Sequence, residues 1–259
     1  MNKLIVIKIG SSLVANKEDS LDLDFIRSIS SQIRDITEKG SEVLVVTSGA
    51  IAQGMKSWGM KIRPTEIDKL QALSAVGQIG LINAYQQEFR IHGMLAAKVL
   101  MSHSDFKDAD RSKNIQMSLK NIFSLGAIPI INENDSVSTE EIKHGDNDQL
   151  SGEVAKLIGA DALIILTDQD GVFDCDPRKN SNAKLISSLA LSSMDEQKIE
   201  FGKPGEFGRG GMETKIKAAK NYLQADNVVW IANGRADNAV MNILGGEKIG
   251  TKITLTLEV

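Results

Sequence analysis

The stretch PIINENDSVSTEEIKHGDNDQLSGEVAKLIGADALIILTDQDGVFDCDP, Pro129 to Pro177, decides the fold. It opens on a short apolar run, passes a cluster of acids and amides, and repeats that cluster at GDNDQLS. A helical segment then leads to a second apolar run, ALIILTD. A buried strand, a crossover helix and another buried strand form the unit of a parallel sheet. The same apolar type recurs as LIVIKIG, EVLVVTSG, AAKVLMS and NVVWIANG. These runs are mostly continuous rather than alternating, the pattern of strands covered on both faces. Helical stretches separate them, such as LDFIRSISSQIRDITEKG, which ends at Gly40 as a helix C-cap should, and TEIDKLQALSAVGQIGLINAYQQEFRIHG. The expected fold is α/β, an open and mostly parallel β-sheet sandwiched between helices.

In such sheets ligands bind beyond the carboxyl ends of the strands. The residues that follow the runs are Gly10-Ser11-Ser12, Thr47-Ser48-Gly49-Ala50, Asn132-Glu133-Asn134-Asp135 and Thr167-Asp168. They are small, hydroxylated or acidic, and glycine-rich, a mixture that suits phosphate, metal and amino-acid recognition together. Lys8 interrupts an apolar strand, and a lysine there is costly to bury without an anion. A snorkelling edge-strand lysine is the plainer alternative. Gly10 and the two serines can offer N–H groups and hydroxyls to the same anion. Asp135, Asp146, Asn147 and Asp148 exceed what helix capping requires. A second amide-rich turn, GRGGMETK from Gly208 to Lys215, precedes the helical run TKIKAAKNYL. Glycines before a helix are ordinary turn chemistry, but with Lys215 in the first turn they also form a phosphate seat. No GxxxxGK[ST] motif occurs, so a nucleotide site here is not of the Walker type.

Composition narrows the partners. The chain has 259 residues, a formal charge of −4 and an isoelectric point near 5.5. No long run of one sign offers an attraction for nucleic acid or an anionic membrane, so neither is expected as a partner. The first apolar stretch is too short for a signal-peptide core or a membrane span, and a cytoplasmic protein is expected. The one cysteine, Cys175, excludes an internal disulfide and lies between two acids, which disfavours a thiolate. His92, His103 and His144 form no metal-ligand pattern and read as surface or packing residues.

IKIGSS, VTSGAI, PIINENDSVS, GDNDQLS, LTDQDGVFDCDP and GRGGMETKIKAA occur in an order that resembles the glutamate 5-kinases of the amino acid kinase superfamily. The resemblance spans essentially the whole chain. It implies the family's αβα sandwich, ATP with Mg²⁺ as cofactors, and phosphorylation of the γ-carboxylate of L-glutamate as the first step toward proline. It places ATP contacts at Lys8, Thr167, Asp168 and the loop Arg209, Gly210, Gly211, Met212, Glu213, Thr214 and Lys215, to which the strand-end reading adds Gly10 and Ser11. Glutamate contacts fall on Ser48, Asp135 and Asn147. Lys8, Asp148 and Lys215 form the expected catalytic set, and no residue is assigned to metal. Many members carry threonine where Arg209 stands. The expected organisation is a single kinase domain, 1–259, with a glutamate-binding lobe over 1–160 and an ATP-binding lobe over 161–259. The small C-terminal domain of the type found in RNA-modifying enzymes, present in many members, is expected to be lacking. The resemblance further implies inhibition by proline, with residues 51–75 as candidate regulatory loops. A dimer or tetramer and hand-off of product to the next reductase complete the expected partners. The alternatives are an acetylglutamate or uridylate kinase, or a non-catalytic nucleotide or amino-acid sensor on the same fold.

Overall fold

A computed structural model describes residues 3–15, 21–144, 147–192, 211–224 and 226–256. The apolar runs become β1 (Leu4–Ile9), β2 (Glu42–Thr47), β3 (Leu95–Met101), β4 (Ala127–Glu133) and β5 (Ala162–Thr167). A short hairpin, β6 (Val172–Phe173) with β7 (Leu185–Ile186), follows, then β8 (Ser188–Ala190), β9 (Val228–Asn233) and β10 (Thr251–Thr254). Among the described residues, eight of these make one sheet in the order β3-β4-β2-β1-β5-β9-β10-β8. From β3 through β9 every pairing is parallel, and β10 runs antiparallel to β9. The division expected near residue 160 falls inside this continuous sheet, since β1 pairs with both β2 and β5.

The helices are α1 (Ser11–Val14), α2 (Leu23–Glu38), α3 (Ala50–Ser57), α4 (Ile67–Ile91), α5 (His103–Lys107) and α6 (Ala109–Ser124). They continue as α7 (Glu140–His144), α8 (Asn147–Ile158), α9 (Met212–Tyr222) and α10 (Ala239–Leu244). Asp22 caps α2 by accepting from the Phe25 N–H at 3.0 Å, and Gly40 ends it with φ 84°. None of the described helices is long and apolar enough to cross a membrane.

Two cores explain why the strand runs are continuous. Ile5, Ile7 and Ile9 face α2, α4 and α10, where Phe25, Ile29, Tyr85 and Val240 pack against them. Val6, Leu44 and Val46 face the opposite layer, with Leu119 of α6, Val154 of α8 and Ile216 of α9. Every residue of β5 is buried, because helices cover it above and below. The run at β3 differs: it forms the sheet edge, and Leu95, Lys98 and Leu100 are exposed. The segment expected to be regulatory loops, 51–75, is mainly helical, its irregular part being the turn between α3 and α4.

Side-chain alternation decides what Lys8 meets. Val6 and Lys8 share a face of β1, so Lys8 projects toward the layer of α8 and α9. Those helices cross closely because they lack bulk at the contact. A Cβ on Gly152 would come within 2.8 Å of the Ala218 carbonyl oxygen. Gly152 lies one turn beyond Asp148, and Ala218 one turn beyond Thr214 and Lys215. The close crossing therefore brings the two helix starts together under the end of β1.

Candidate active site

Asp148 stands in the first turn of α8 with no exposed surface. Its Oδ1 is 2.5 Å from the Lys8 ammonium, and its Oδ2 accepts from the Lys215 ammonium at 3.0 Å. The Thr214 hydroxyl lies 2.6 Å from the same Oδ2. Both lysines are about 95% buried. Burial of the carboxyl group opposes its ionisation, but the Lys215 and Lys8 ammonium groups outweigh that and hold Asp148 far below the usual carboxylate range. Burial pushes Lys215 below an ordinary lysine, with Asp148 opposing the shift and Lys8 adding to it. Two cations gathered on one carboxylate leave one positive charge in excess, at the mouth of the central strands.

Gly211 is the N-cap of α9, in extended conformation and without a side-chain cap. The first-turn N–H groups of this helix lack intrahelical partners and suit an anion. Met212 packs on the core beneath α8 and α9, while Glu213 is exposed. Arg209 and Gly210, and Asp146 of the polar cluster, lie outside the described residues. At the end of β1, Gly10 begins the single turn of α1, and its N–H donates to the Leu166 carbonyl at 3.0 Å. That amide is consequently engaged within the sheet and not available to a phosphate, contrary to expectation. Gly10 is also tightly held, since a Cβ there would sit 3.2 Å from the same carbonyl. Ser11 follows, half-buried, in the first position of α1. Thr167, buried at the end of β5, donates to the carboxylate of exposed Asp168 at 3.1 Å.

The acceptor side is built next to this. Asn147, fully buried and adjacent to Asp148, places its Nδ2 within 3.0 Å of Ser48 Oγ, 2.9 Å of Asn132 Oδ1 and 3.2 Å of the Thr47 carbonyl. One amide thus links the ends of β2 and β4. Gly49 turns the chain into α3 with φ 106°, a conformation that favours glycine. Asp135 is tied to α4: its carboxylate accepts from the Ser74 hydroxyl, and its carbonyl accepts from the Gln71 amide at 2.7 Å. The structure joins Ser48 to Asn147 directly and holds Asp135 from the helix side.

Several contributors were not apparent from sequence. Ser74 and Gln71 lie in the middle of a helical run, and nothing in their spacing marks them. Tyr85 packs its hydroxyl 3.1 Å from Thr47 Oγ1, and burial pushes that phenol well above its usual range. Asn132 was legible only as one member of a polar strand end. His103, expected to be a surface or packing residue, pairs its Nδ1 with Glu153 at 2.6 Å, and His92 caps the end of α4. Cys175 is partly exposed, with the Asn180 amide 3.3 Å away.

Comparison with known proteins places this geometry. Residues 3–233 match the model of the amino acid kinase family. The chain is 45% identical to the glutamate 5-kinase of Burkholderia thailandensis over 252 residues, covering 97% of this chain and 68% of that protein. It is 46% identical, over the same shares, to the glutamate 5-kinase of Janthinobacterium sp. (strain Marseille). Among solved structures, it resembles an isopentenyl phosphate kinase of T. acidophilum with a TM-score of 0.64 at 19% identity, over 96% of this chain and 99% of that one. A UMP kinase from Bacillus anthracis gives 0.64 at 17% identity, over 99% and 98%. Those two likenesses bear on the fold, an open parallel sheet between helix layers, whereas the sequence relationship reaches further. The chain belongs to the amino acid kinase family and, within it, to the glutamate 5-kinases.

Proposed function

We propose that this chain transfers the γ-phosphoryl group of ATP to the γ-carboxylate of L-glutamate, and that Lys8, Asp148 and Lys215 are its catalytic core. The observation that carries this reading is the placement of Asp148, which holds two buried ammonium groups while its neighbour Asn147 reaches the ends of β2 and β4. Phosphate chemistry and acceptor recognition thereby share the start of one helix, α8.

A glutamate γ-carboxylate, with an ordinary pKa near 4.3, is ionised at neutral pH and needs no general base. One of its oxygens attacks the γ-phosphorus, the bond from that phosphorus to the β-bridging oxygen breaks, and ADP leaves with the electron pair. The products are γ-glutamyl phosphate and ADP. Catalysis is then alignment and neutralisation of charge. Lys8 and Lys215 stabilise the transferring phosphoryl oxygens and the leaving oxygen, with Asp148 fixing both ammonium positions. The first turn of α9, from Met212 to Lys215, cradles phosphate, and Thr167 and Asp168 flank the nucleotide. Asp135 receives the substrate's α-ammonium. Asn147 and the Ser48-Gly49-Ala50 turn receive its α-carboxylate.

Mg²⁺ fits this donor set as an ion carried on the nucleotide. Asp148 is saturated by its cations, and exposed Asp168 can hold the ion's hydration shell through water. When bound, the ion would supply neutralisation of phosphate charge. Residues up to about 160 would then form the glutamate lobe and the remainder the ATP lobe. Proline carries the α-carboxylate and charged amine that Asp135 and Asn147 are taken to read, so it is proposed to compete with glutamate. An oligomeric assembly, and passage of the labile acyl phosphate to a reductase, belong to the same proposal.

An acceptor panel tests the assignment. ADP release with Mg²⁺ and ATP should depend on L-glutamate and be far weaker with N-acetylglutamate or UMP. Equal turnover with either of those, or none with glutamate, removes it. Millimolar proline should raise the apparent KM for glutamate, and an unchanged KM removes the inhibitor proposal alone.

A further inference from the structure

Gln78 is a buried amide whose nitrogen is unpartnered. It sits inside α4 with 6% of its surface exposed, and its Nε2 is buried without a hydrogen-bond partner among the described residues. Buried amides in native proteins are almost always paired, so an orphan of this kind calls for a partner that arrives from outside.

The helix places that amide beside the acceptor site. Ser74, one turn earlier on the same face, donates to the Asp135 carboxylate. Tyr85, seven residues later on the same stripe, meets Thr47, whose carbonyl in turn lies against Asn147. Gly77, the adjacent residue, lies so close to α3 that a Cβ there would come 1.8 Å from the Ala50 carbonyl oxygen. Gln78 thus lies on the α4 stripe that carries Ser74 and Tyr85, next to the residue at which α4 approaches Ala50.

We propose that Gln78 is a substrate-binding residue of the acceptor site, its Nε2 donating a hydrogen bond to the α-carboxylate of the bound amino acid. The inference rests on the assignment of an α-amino acid as acceptor. A neutral donor recognises that carboxylate without adding a third cation to a site that already holds two. It also selects for acceptors with a free α-carboxylate, because an amide or ester there offers a weaker acceptor.

Gln78→Met and Gln78→Glu, compared with the unaltered protein, test this by steady-state kinetics and thermal denaturation of the free protein. Methionine fills the same volume without a donor. Losing a hydrogen bond to a charged group should raise the KM for L-glutamate roughly tenfold to a hundredfold. kcat and the KM for ATP should stay within about threefold, since the contact is made equally in ground and transition states. The Tm of the Met variant should be unchanged or higher, because an unpaired buried amide has been removed. Glu, which sets a charge against the substrate, should impair glutamate binding more than Met. The proposal is overturned if the KM of the Met variant stays within twofold, if the loss falls on kcat, if Tm drops, or if the Glu variant binds as well as the unaltered protein. Absence of glutamate-dependent turnover in the unaltered protein would remove the acceptor assignment itself, a failure distinct from normal glutamate kinetics in both variants.

Discussion

Replacing Asp148 by asparagine keeps the shape of the side chain and removes the charge that holds two buried ammonium groups. Lys8 and Lys215 approach its two oxygens at 2.5 and 3.0 Å, and neither can turn to water, being about 95% buried. Deleting one partner of a buried ion pair leaves an uncompensated charge and costs about 3–5 kcal/mol. For a chain of this length, that corresponds to a fall in Tm of roughly 6–20 °C. Burial already pushes Lys215 below the ordinary lysine range, and without Asp148 the main force opposing that shift is gone. Lys215 should then release its proton more readily than in the unaltered protein. Loss of a preorganised cation costs about 10²–10³ in kcat. The sign of the pH response follows: kcat/KM for ATP of Asp148→Asn should recover as pH falls, when the lysine regains its proton. ATP phosphates should replace the missing anion, so MgATP should raise the Tm of the variant more than that of the unaltered protein. Differential scanning fluorimetry with and without nucleotide, alongside kcat and kcat/KM for ATP from pH 6 to 9, reads all three effects. A variant with unaltered Tm and an unaltered pH profile would refute the electrostatic role given to Asp148.

Lys8→Ala and Lys215→Ala should each lower kcat by about two to three orders of magnitude with little change in the KM for glutamate, because both act on phosphoryl charge; steady-state kinetics at saturating ATP checks this. In the unaltered protein the alkaline limb of kcat/KM for ATP, which reports the ligand-free protein, should fall below the value near 10.4 of a free lysine, since Lys215 is shifted downward. Acid stability has the opposite origin. Asp148 is held far below its unfolded value, so its contribution is complete above about pH 4 and is lost only as pH falls toward its depressed value. Gly152→Ala should push α8 from α9, because the added Cβ meets backbone at 2.8 Å, and should reduce both Tm and kcat. An unchanged kcat would show that the helix crossing does not set the Asp148 geometry.

Much of this was legible in the sequence, for definite physical reasons. Continuous apolar runs reported strands covered on both faces, and β1, β2, β4 and β5 lie together at the sheet centre. Lys8 stood out because a cation in such a run demands an anion, and Asp148 is that anion. The reading failed where the information is tertiary. AAKVLMS has the composition of a central strand yet forms the edge, since position in a sheet is not a local property. Gly10 looked like an amide for phosphate, but its N–H closes onto Leu166, a contact that depends on β5 standing beside β1. Ser74 and Gln78 are ordinary polar residues in a helix until α4 is packed against the Asp135 loop and the end of β2.

The central claim is that a glutamate γ-carboxylate receives phosphate from ATP between Lys8 and Lys215. Turnover in the presence of Mg²⁺, L-glutamate and hydroxylamine, with the product identified by mass spectrometry, tests it most directly. The expected result is γ-glutamyl hydroxamate formed in equal amount to ADP, and lost in Lys215→Ala. ADP released without hydroxamate, or a hydroxamate at the α-carboxyl group, would contradict it.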